Sequence, residues 1–434
     1  MGLRILVVGG GAREHALLWK LAQSPRTGEL LCAPGNAGTE QIAENLPIRA
    51  ADCDAITEAA VSRQVDLVVV GPEEPLARGL ADRLVAAGIP VCGPSESATR
   101  IESSKAWAKE LMTEADVPTA RATVIRDLAA GLSALDSFGF PVVIKADGLA
   151  AGKGVVIVSS RDEAFSVLSA FLEERALGDA GATVVIEECL VGQEVSVFAL
   201  TDGEVVVPLT PACDYKRVAD GDRGPNTGGM GAYSPVPAVD ASLMATIRST
   251  ILEPTIRAMA ERGAAMRGIL YAGLMLTADG PKVLEFNARF GDPEAQVVLP
   301  ILEADLVDLL EAVAHGRLAS VAPPPPPRQA AVGVVLASGG YPGPYRTGVP
   351  ISGLDELPSD VLVFHAGTRR DEDGRVVTAG GRVLTVVGMG SDLAGARERA
   401  YAGVAKIGFD DAHWRRDIAL REIATEAASS SEQR

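Results

Sequence analysis

Three observations predict a chain of several domains, α/β at its start and α+β beyond. Residues 3 to 93 alternate short, wholly apolar runs with helical stretches and break at glycine, proline and asparagine turns. That is the pattern of a parallel sheet covered on both faces. The middle region, about 98 to 320, carries apolar runs paired around tight turns, as antiparallel hairpins do. Five consecutive prolines, Pro323 to Pro327, then set off a small α+β module, because such a run forms a semi-rigid spacer. The expected division is 1–100, 101–322, a proline-rich linker at 323–329, and 330–424. A chain of 434 residues is long enough for several proper cores.

In the first region, Ile5-Leu6-Val7-Val8 ends in Gly9-Gly10-Gly11 and Ala16 to Ala22 follows as an amphipathic helix. Leu30 to Ala33 ends in Pro34-Gly35-Asn36, and Asp66 to Val70 ends in Gly71-Pro72-Glu73-Glu74, before a helix over Leu76 to Ala87 and a strand over Ile89 to Cys92. Ligands of such sheets sit at the carboxyl ends of the strands, where these turns fall. A dinucleotide fingerprint is disfavoured: position 14 is Glu14 instead of Gly or Ala, and the second strand ends without an acid for a ribose hydroxyl. A glycine turn feeding a helix still offers backbone N–H groups to a phosphate, with Arg13 and His15 beside it.

The middle region opens with helix-like material around Ser103-Ser104-Lys105 and continues into "PVVIKADGLAAGKGVVIVSS", residues 141 to 160. A P-loop fails here twice, since its first glycine would be Asp147 and its Ser/Thr would be Gly154. β-Branched runs flank the glycines on both sides, so the stretch predicts a hairpin with a glycine-rich, mobile tip. Alone, it leaves open the lesser alternative of an ordinary hairpin with surface lysines. Thr183 to Glu188 is a strand ending in acids, and Glu194 to Leu200 pairs with Glu204 to Leu209 around Thr201-Asp202-Gly203. Asp214 to Pro235 is a long polar loop without an obvious element, and such loops are usually functional or disordered. Ile269 to Thr277 and Lys282 to Asn287 pair around Ala278-Asp279-Gly280. The last module has strands around Val334, Val361 and Val383, and residues 427–434 read as frayed.

Lys and Arg number 40 against 57 Asp and Glu, a net charge of −17, which argues against the basic face of a sequence-independent nucleic-acid binder. No apolar run approaches the roughly 18 residues of a membrane span, and a basic leader is missing from the first residues. The five scattered cysteines contain no C-x-x-C pair and the four histidines are dispersed, so a cytoplasmic protein with reduced thiols and no zinc site is expected.

The sharpest stretch is "VLEFNARFGDPE", Val283 to Glu294. Alternation on a strand places Glu285, Asn287 and Arg289 on one face and Leu284, Phe286 and Ala288 on the core face. A carboxylate and an amide oxygen two residues apart supply hard ligands for Mg²⁺, which also takes water and nucleotide phosphates. The arginine suits an anionic substrate or a developing oxyanion. Alone, the stretch also reads as a half-exposed strand with three polar residues.

Lys145 before a glycine hairpin, Glu187-x-x-Leu190 and Glu285-x-Asn287, in this order, resemble an ATP-grasp site. The stretches "GGGAREHAL", "APGNAGT", "DLVVVGPEEPL", "VVIKADGLAAGKGV", "VIEE", "GPNTGGMGAYSP", "LYAGLM", "EFNARFGDPE", "GGYPGPYRTG" and "FHAGT" span residues 9 to 368. They are similar to those of the phosphoribosylamine–glycine ligase (glycinamide ribonucleotide synthetase) family of purine biosynthesis. The resemblance implies a parallel-sheet pre-ATP-grasp N-domain, an ATP-grasp fold with a mobile lid subdomain at about 120–192, and a small α+β C-terminal domain. It implies ligation of glycine to 5-phosphoribosylamine with ATP as co-substrate and Mg²⁺ or Mn²⁺ as metal, in a monomer or weak dimer without nucleic-acid or membrane partners. Another ATP-grasp carboxylate–amine ligase, a biotin-carboxylase-like enzyme and a non-catalytic nucleotide-binding protein remain open.

The roles implied are these. Lys105 and Lys145 neutralise ATP phosphates under the hairpin of Gly152, Lys153 and Gly154, while Glu187, Glu188 and Leu190 offer backbone groups to adenine and Glu194 takes the ribose hydroxyls. Glu285 and Asn287 hold the metal, since Tyr271 to Met275 contains no acid. Arg289 faces the reacting carboxyl and is catalytic with Lys145. Gly228, Gly229 and Gly231 let backbone approach glycine, Asp214 takes its ammonium, and Asn226, Gly291 and Asp292 complete the substrate-binding set. Gly10, Arg13, Glu14 and Asn36, with Lys216 or Arg217, are the phosphoribosylamine candidates.

Overall fold

The computed structural model of the chain describes residues 2–148 and 154–425. Five parallel strands form the first sheet in the order Glu44–Asn45, Thr27–Pro34, Leu3–Gly9, Leu67–Val70, Val91–Cys92. Leu3–Gly9 is central, so the Gly9–Gly11 turn emerges at the middle of the sheet's carboxyl edge. The helix after it begins at Ala12, earlier than the expected Ala16, and runs to Leu21. The Glu14 carboxylate explains the early start: it folds back to accept the Gly11 N–H at 2.6 Å, so the glycine turn itself becomes the helix cap. The expected helix over 76–87 is two helices, Glu73–Ala77 and Leu80–Ala86, separated at Gly79, whose φ of +76° suits a residue without Cβ.

Two antiparallel four-stranded sheets form the middle. One has the order Ala122–Ile125, Val184–Glu188, Val142–Ala146, Val155–Val158, and packs on the helices Leu128–Ala134 and Arg161–Leu172 around a core of its own. The other has the order Val206–Pro208, Gln193–Thr201, Gly268–Thr277, Gly280–Asn287. In its last pair the register shifts: Leu274 faces Val283 but Gly273 faces Glu285. Leu284 is therefore the extra residue of a bulge, which corrects the expected core face. Val283, Phe286 and Ala288 are buried in the core, while Leu284 is only half-buried.

The stretch 214–235 is not element-free as expected. It holds the strand pair Arg217–Ala219 and Arg223–Asn226, and Gly231–Ser234 enters a further, five-stranded sheet. That sheet runs Cys213–Asp214, Gly231–Ser234, Ala330–Ala337, Arg382–Gly390, Val361–His365. Strands from before the five prolines thus pair with strands from after them. The two large apolar cores follow suit: one joins Trp107, Ile251 and Val283 to Val334, Val386 and Ile418, the other joins Leu17, Leu67 and Phe290 to Leu309 and Phe364. Among the described residues no helix is long and apolar enough to cross a membrane.

Candidate active site

The site lies where the two middle sheets face each other. Ser104 caps the helix Lys105–Glu114: its Oγ accepts the Trp107 N–H at 3.1 Å and donates to Asp147. Asp147 in turn accepts the Ala106 N–H at 2.7 Å, tying this helix start to the end of the strand Val142–Ala146. Lys105 is held there, its Nζ donating to the Gly148 carbonyl at 3.3 Å. Lys145 Nζ lies 2.9 Å from Glu187 and donates to the Leu284 carbonyl at 2.9 Å, so it bridges the two sheets. The other oxygen of Glu187 lies 3.1 Å from Lys109. Glu187 is thus a buried counter-ion to two lysines. Lys109 was missed in the sequence, although its spacing of four from Lys105 puts both on one helix face. Burial pulls the Lys109 ammonium down to about 8, against the opposing pull of Glu187. The Glu188 carboxylate accepts the Arg121 N–H at 3.0 Å, and Leu190 follows the strand end. Gly154 accepts the Ala146 N–H at 2.7 Å, whereas Gly152 and Lys153 lie outside the described residues.

Glu285 is half-buried and, among the described residues, its side chain has no hydrogen bond or ion pair. Burial alone would raise its carboxyl, but Lys216, Lys145, Lys105 and Arg289 outweigh that and hold it below the usual carboxylate range. Asn287 Oδ1 accepts from Arg289 Nη2 at 3.1 Å. Arg289 also ion-pairs with Glu102 through Nη2 at 2.9 Å and with Glu73 through its buried Nε at 3.3 Å, the second without the geometry of a hydrogen bond. Glu102 accepts the Ala288 N–H at 2.8 Å and so fixes the chain just before the arginine. Among the described residues no three His, Cys, Asp or Glu side chains converge as a metal cage. One ionised carboxylate beside one amide oxygen instead fits a divalent cation that draws its other ligands from phosphates and water.

On the far side of Glu285, Lys216 pairs with Glu194 at 2.5 Å. Burial pushes the nearby Asp214 carboxyl up to about 7; Lys216 opposes this, and Glu294 and Glu194 add to it. Buried Glu294 accepts from Tyr271 Oη at 2.7 Å and from Ser196 Oγ at 3.2 Å. Glu73, Glu102, Tyr271 and Glu294 are the acids and the phenol that the sequence did not single out. Thr227 accounts for the neighbouring turn, donating from both its N–H and its Oγ1 to the Lys216 carbonyl. Gly228 follows, and Gly229, with φ +108°, lies so close to Pro293 that a Cβ would collide with its ring. A Cβ at Gly291 would likewise strike the Glu294 carboxylate. Asp292 accepts from Gln296 Nε2 at 2.7 Å; burial works against its charge, but Arg382 and Arg13 keep its carboxyl low. Asn226 is exposed and joins this group only through its strand pairing with Arg217.

The sheet edge brings Gly10, Arg13, Glu14 and Asn36 together as expected, but their side chains are committed within the protein. Glu14 accepts from Arg13 Nε at 2.6 Å as well as from Gly11, and Arg13 Nη1 donates to the Phe290 carbonyl at 3.0 Å. Asn36 Nδ2 donates to the carbonyls of Gly10 and His365, and its Oδ1 accepts from Gly38 and Thr39. His15 Nδ1 accepts the His365 N–H at 2.9 Å. This edge is therefore also the joint with the C-terminal module.

Family models for phosphoribosylglycinamide synthetase match almost the whole chain: the N domain at residues 3–102, the ATP-grasp (A) domain at 103–295 and the C domain at 331–421. A phosphoribosylamine–glycine ligase of Streptomyces coelicolor is 52% identical over 423 residues, covering 96% of this chain and 99% of the relative. The crystal structure of a phosphoribosylamine–glycine ligase from Thermotoga maritima superposes with a TM-score of 0.84 at 36% identity, over 96% of this chain and 100% of that one. The biotin carboxylase domain of a Hydrogenobacter thermophilus 2-oxoglutarate carboxylase, solved with MgADP and bicarbonate, shares the fold with a TM-score of 0.76 at 15% identity, over 95% and 92% of the two chains.

Proposed function

The chain belongs to the phosphoribosylglycinamide synthetase family of ATP-grasp ligases, and from that premise we propose that it joins glycine to 5-phosphoribosylamine through a glycyl phosphate. The products are glycinamide ribonucleotide, ADP and phosphate. The observation that carries this reading is the uncommitted, ionised Glu285, set beside Asn287 and facing Lys105, Lys145, Lys216 and Arg289.

A carboxylate does not condense with an amine in water, so one of its oxygens first attacks the γ-phosphorus of ATP and expels ADP. The amine of phosphoribosylamine then attacks the carbonyl carbon and phosphate leaves with the glycine oxygen. Both steps gather negative charge on phosphoryl oxygens, so positioning and electrostatic stabilisation do most of the catalysis. Lys105 and Lys145 supply fixed positive charge, and Lys109 and Glu187 hold Lys145 in place. A divalent metal, Mg²⁺ or Mn²⁺, would be held by Glu285 and Asn287 and would supply Lewis acidity toward the phosphates. Arg289 is suited to the reacting carboxylate, because its permanent positive charge stands beside Glu285 and its Nε is held only by a 3.3 Å ion pair to Glu73. Asp214, once ionised, is suited to the glycine ammonium. The backbone from Glu187 to Leu190 is our candidate for adenine, and Glu194, which pairs with Lys216, is our candidate for the ribose. Gly10, Arg13, Glu14 and Asn36 form the frame of a phosphoribosylamine pocket more than its contact surface, because their side chains already bond within the protein. The free cysteines fit a reducing, cytoplasmic setting.

Measuring ADP release with each substrate omitted in turn tests the reading. The expected result is full release only with glycine and phosphoribosylamine together, with oxygen-18 from the glycine carboxyl appearing in the phosphate. The shared fold favours one second reading, a biotin-carboxylase-like enzyme, and ADP release indifferent to glycine but dependent on bicarbonate would select it.

A further inference from the structure

Arg382 opens the strand Arg382–Gly390 of the C-terminal module, yet its side chain reaches away from that module into the site. Its Nη1 donates to the Gly228 carbonyl at 2.6 Å and to the Asp292 carbonyl at 2.7 Å, and lies 3.2 Å from the Asp292 carboxylate. From the same module, the Tyr341 hydroxyl accepts the Gly228 N–H at 2.9 Å. Both backbone groups of Gly228 are thus held by side chains from beyond the prolines.

The pattern differs from that of an ion pair formed for stability. An arginine serving a carboxylate turns two nitrogens to its two oxygens. Here one nitrogen makes its shortest contacts to two backbone carbonyls, one on each of two loops. The contact to the carboxylate, at 3.2 Å, is the longest of the three. The loops it joins are the ones that matter to the proposed reaction. Gly228 continues through Thr227 to the Lys216 carbonyl, beside Asp214 and Glu194. Asp292 continues back through Gly291 to Arg289.

We propose that Arg382 is a positioning residue for acyl transfer: it fixes the 227–229 turn against Asp292–Pro293, so that the Asp214 and Arg289 ends of the glycine site keep their spacing. The proposal rests on the ligase reading above. Its consequence is specific. Without Arg382 the phosphates still meet Lys105 and Lys145, but the glycyl phosphate is presented out of line to the amine and is lost to water.

The test compares the wild-type full chain with R382M, which keeps the length of the stem, and R382K, whose ammonium again carries three donors. In R382M the KM values for glycine and phosphoribosylamine are expected to rise about tenfold or more, because small misplacements of reacting groups are costly. ADP should form in excess of glycinamide ribonucleotide, the KM for ATP should stay within about twofold of wild type, and R382K should restore most of the coupling. Tyr341→Phe, which keeps the ring, should shift the same ratio in the same direction by less. R382M with wild-type KM values and matched ADP and product overturns the proposal. So does a loss that raises the KM for ATP equally and is shared by R382K. A wild-type protein that makes no glycinamide ribonucleotide overturns the ligase reading first, and the proposal with it.

Discussion

Glu285 keeps its negative charge among three lysines and an arginine without touching any of them, so its carboxylate is available to a ligand. Glu285→Ala should lower ligase turnover by at least about 100-fold, the scale of removing one electrostatic contact to a reacting phosphoryl group. Circular dichroism should still report a folded protein, because the side chain makes no hydrogen bond among the described residues. Normal turnover at ordinary Mg²⁺ would refute the assignment. Asp214 gives a pH prediction. Its carboxyl, raised to about 7 by burial and the neighbouring acids, must lose its proton before it can pair with an ammonium. Below pH 7 the KM for glycine should therefore rise about tenfold per pH unit, the cost of deprotonating the acid, and level off above it. Asp214→Asn should bind glycine weakly with no such slope; a slope that survives this change would place the titrating group elsewhere. Glu285 and Asn287 were legible in the sequence because a strand writes one face at every second residue, whereas the expected continuation to Arg289 fails because the strand ends at Asn287. Glu73 and Glu102 were not legible, since they reach Arg289 from helices far earlier in the chain.

At the scale of elements, the strand Val184–Glu188 and the helix Lys105–Glu114 are joined by one carboxylate. Glu187 lies between Lys109 and Lys145, all three nearly removed from water. Glu187→Gln would leave two buried ammonium groups without a counter-charge and should destabilise the protein by about 3–5 kcal/mol, the usual cost of orphaning a buried charge. Denaturant unfolding of this variant beside Asp136→Ala, which removes an exposed ion pair to Arg161, gives the comparison. The second should cost no more than about 1 kcal/mol; equal effects would show that Glu187 is not a buried counter-ion. The hairpins around Thr201–Gly203 and Ala278–Gly280 were legible because their partner strands are adjacent in the chain. The bulge at Leu284 was not, because a shift of register leaves the residues themselves unchanged. The strand Gly231–Ser234 was hidden for another reason. Beyond the two-residue strand Cys213–Asp214, its partner is Ala330–Ala337, and no local pattern points across that distance.

For the whole molecule, the sheet that crosses the proline run makes the C-terminal module part of the site's construction. Removing everything after residue 328 would strip the longer of its two partners from Gly231–Ser234, whose four residues are all buried, and expose a large share of two cores. The shortened chain should lack a cooperative thermal transition and should show no ADP release with any substrate. A soluble fragment that still hydrolyses ATP would show that the module is dispensable to the nucleotide site.

The pairing of Gly231–Ser234 with Ala330–Ala337 also bears on the order in which the protein is made. On the ribosome the turn that carries Gly228 emerges roughly a hundred residues before the strand that will hold it, and before Arg382. The parallel sheet and the Ala122–Glu188 unit have their strand partners at hand and are free to pair as they appear. The turn must wait, with an unpaired edge exposed, until the last quarter of the chain has been translated. Newly made enzyme therefore gains its substrate loops last, and a stalled or truncated nascent chain presents that open edge to chaperones.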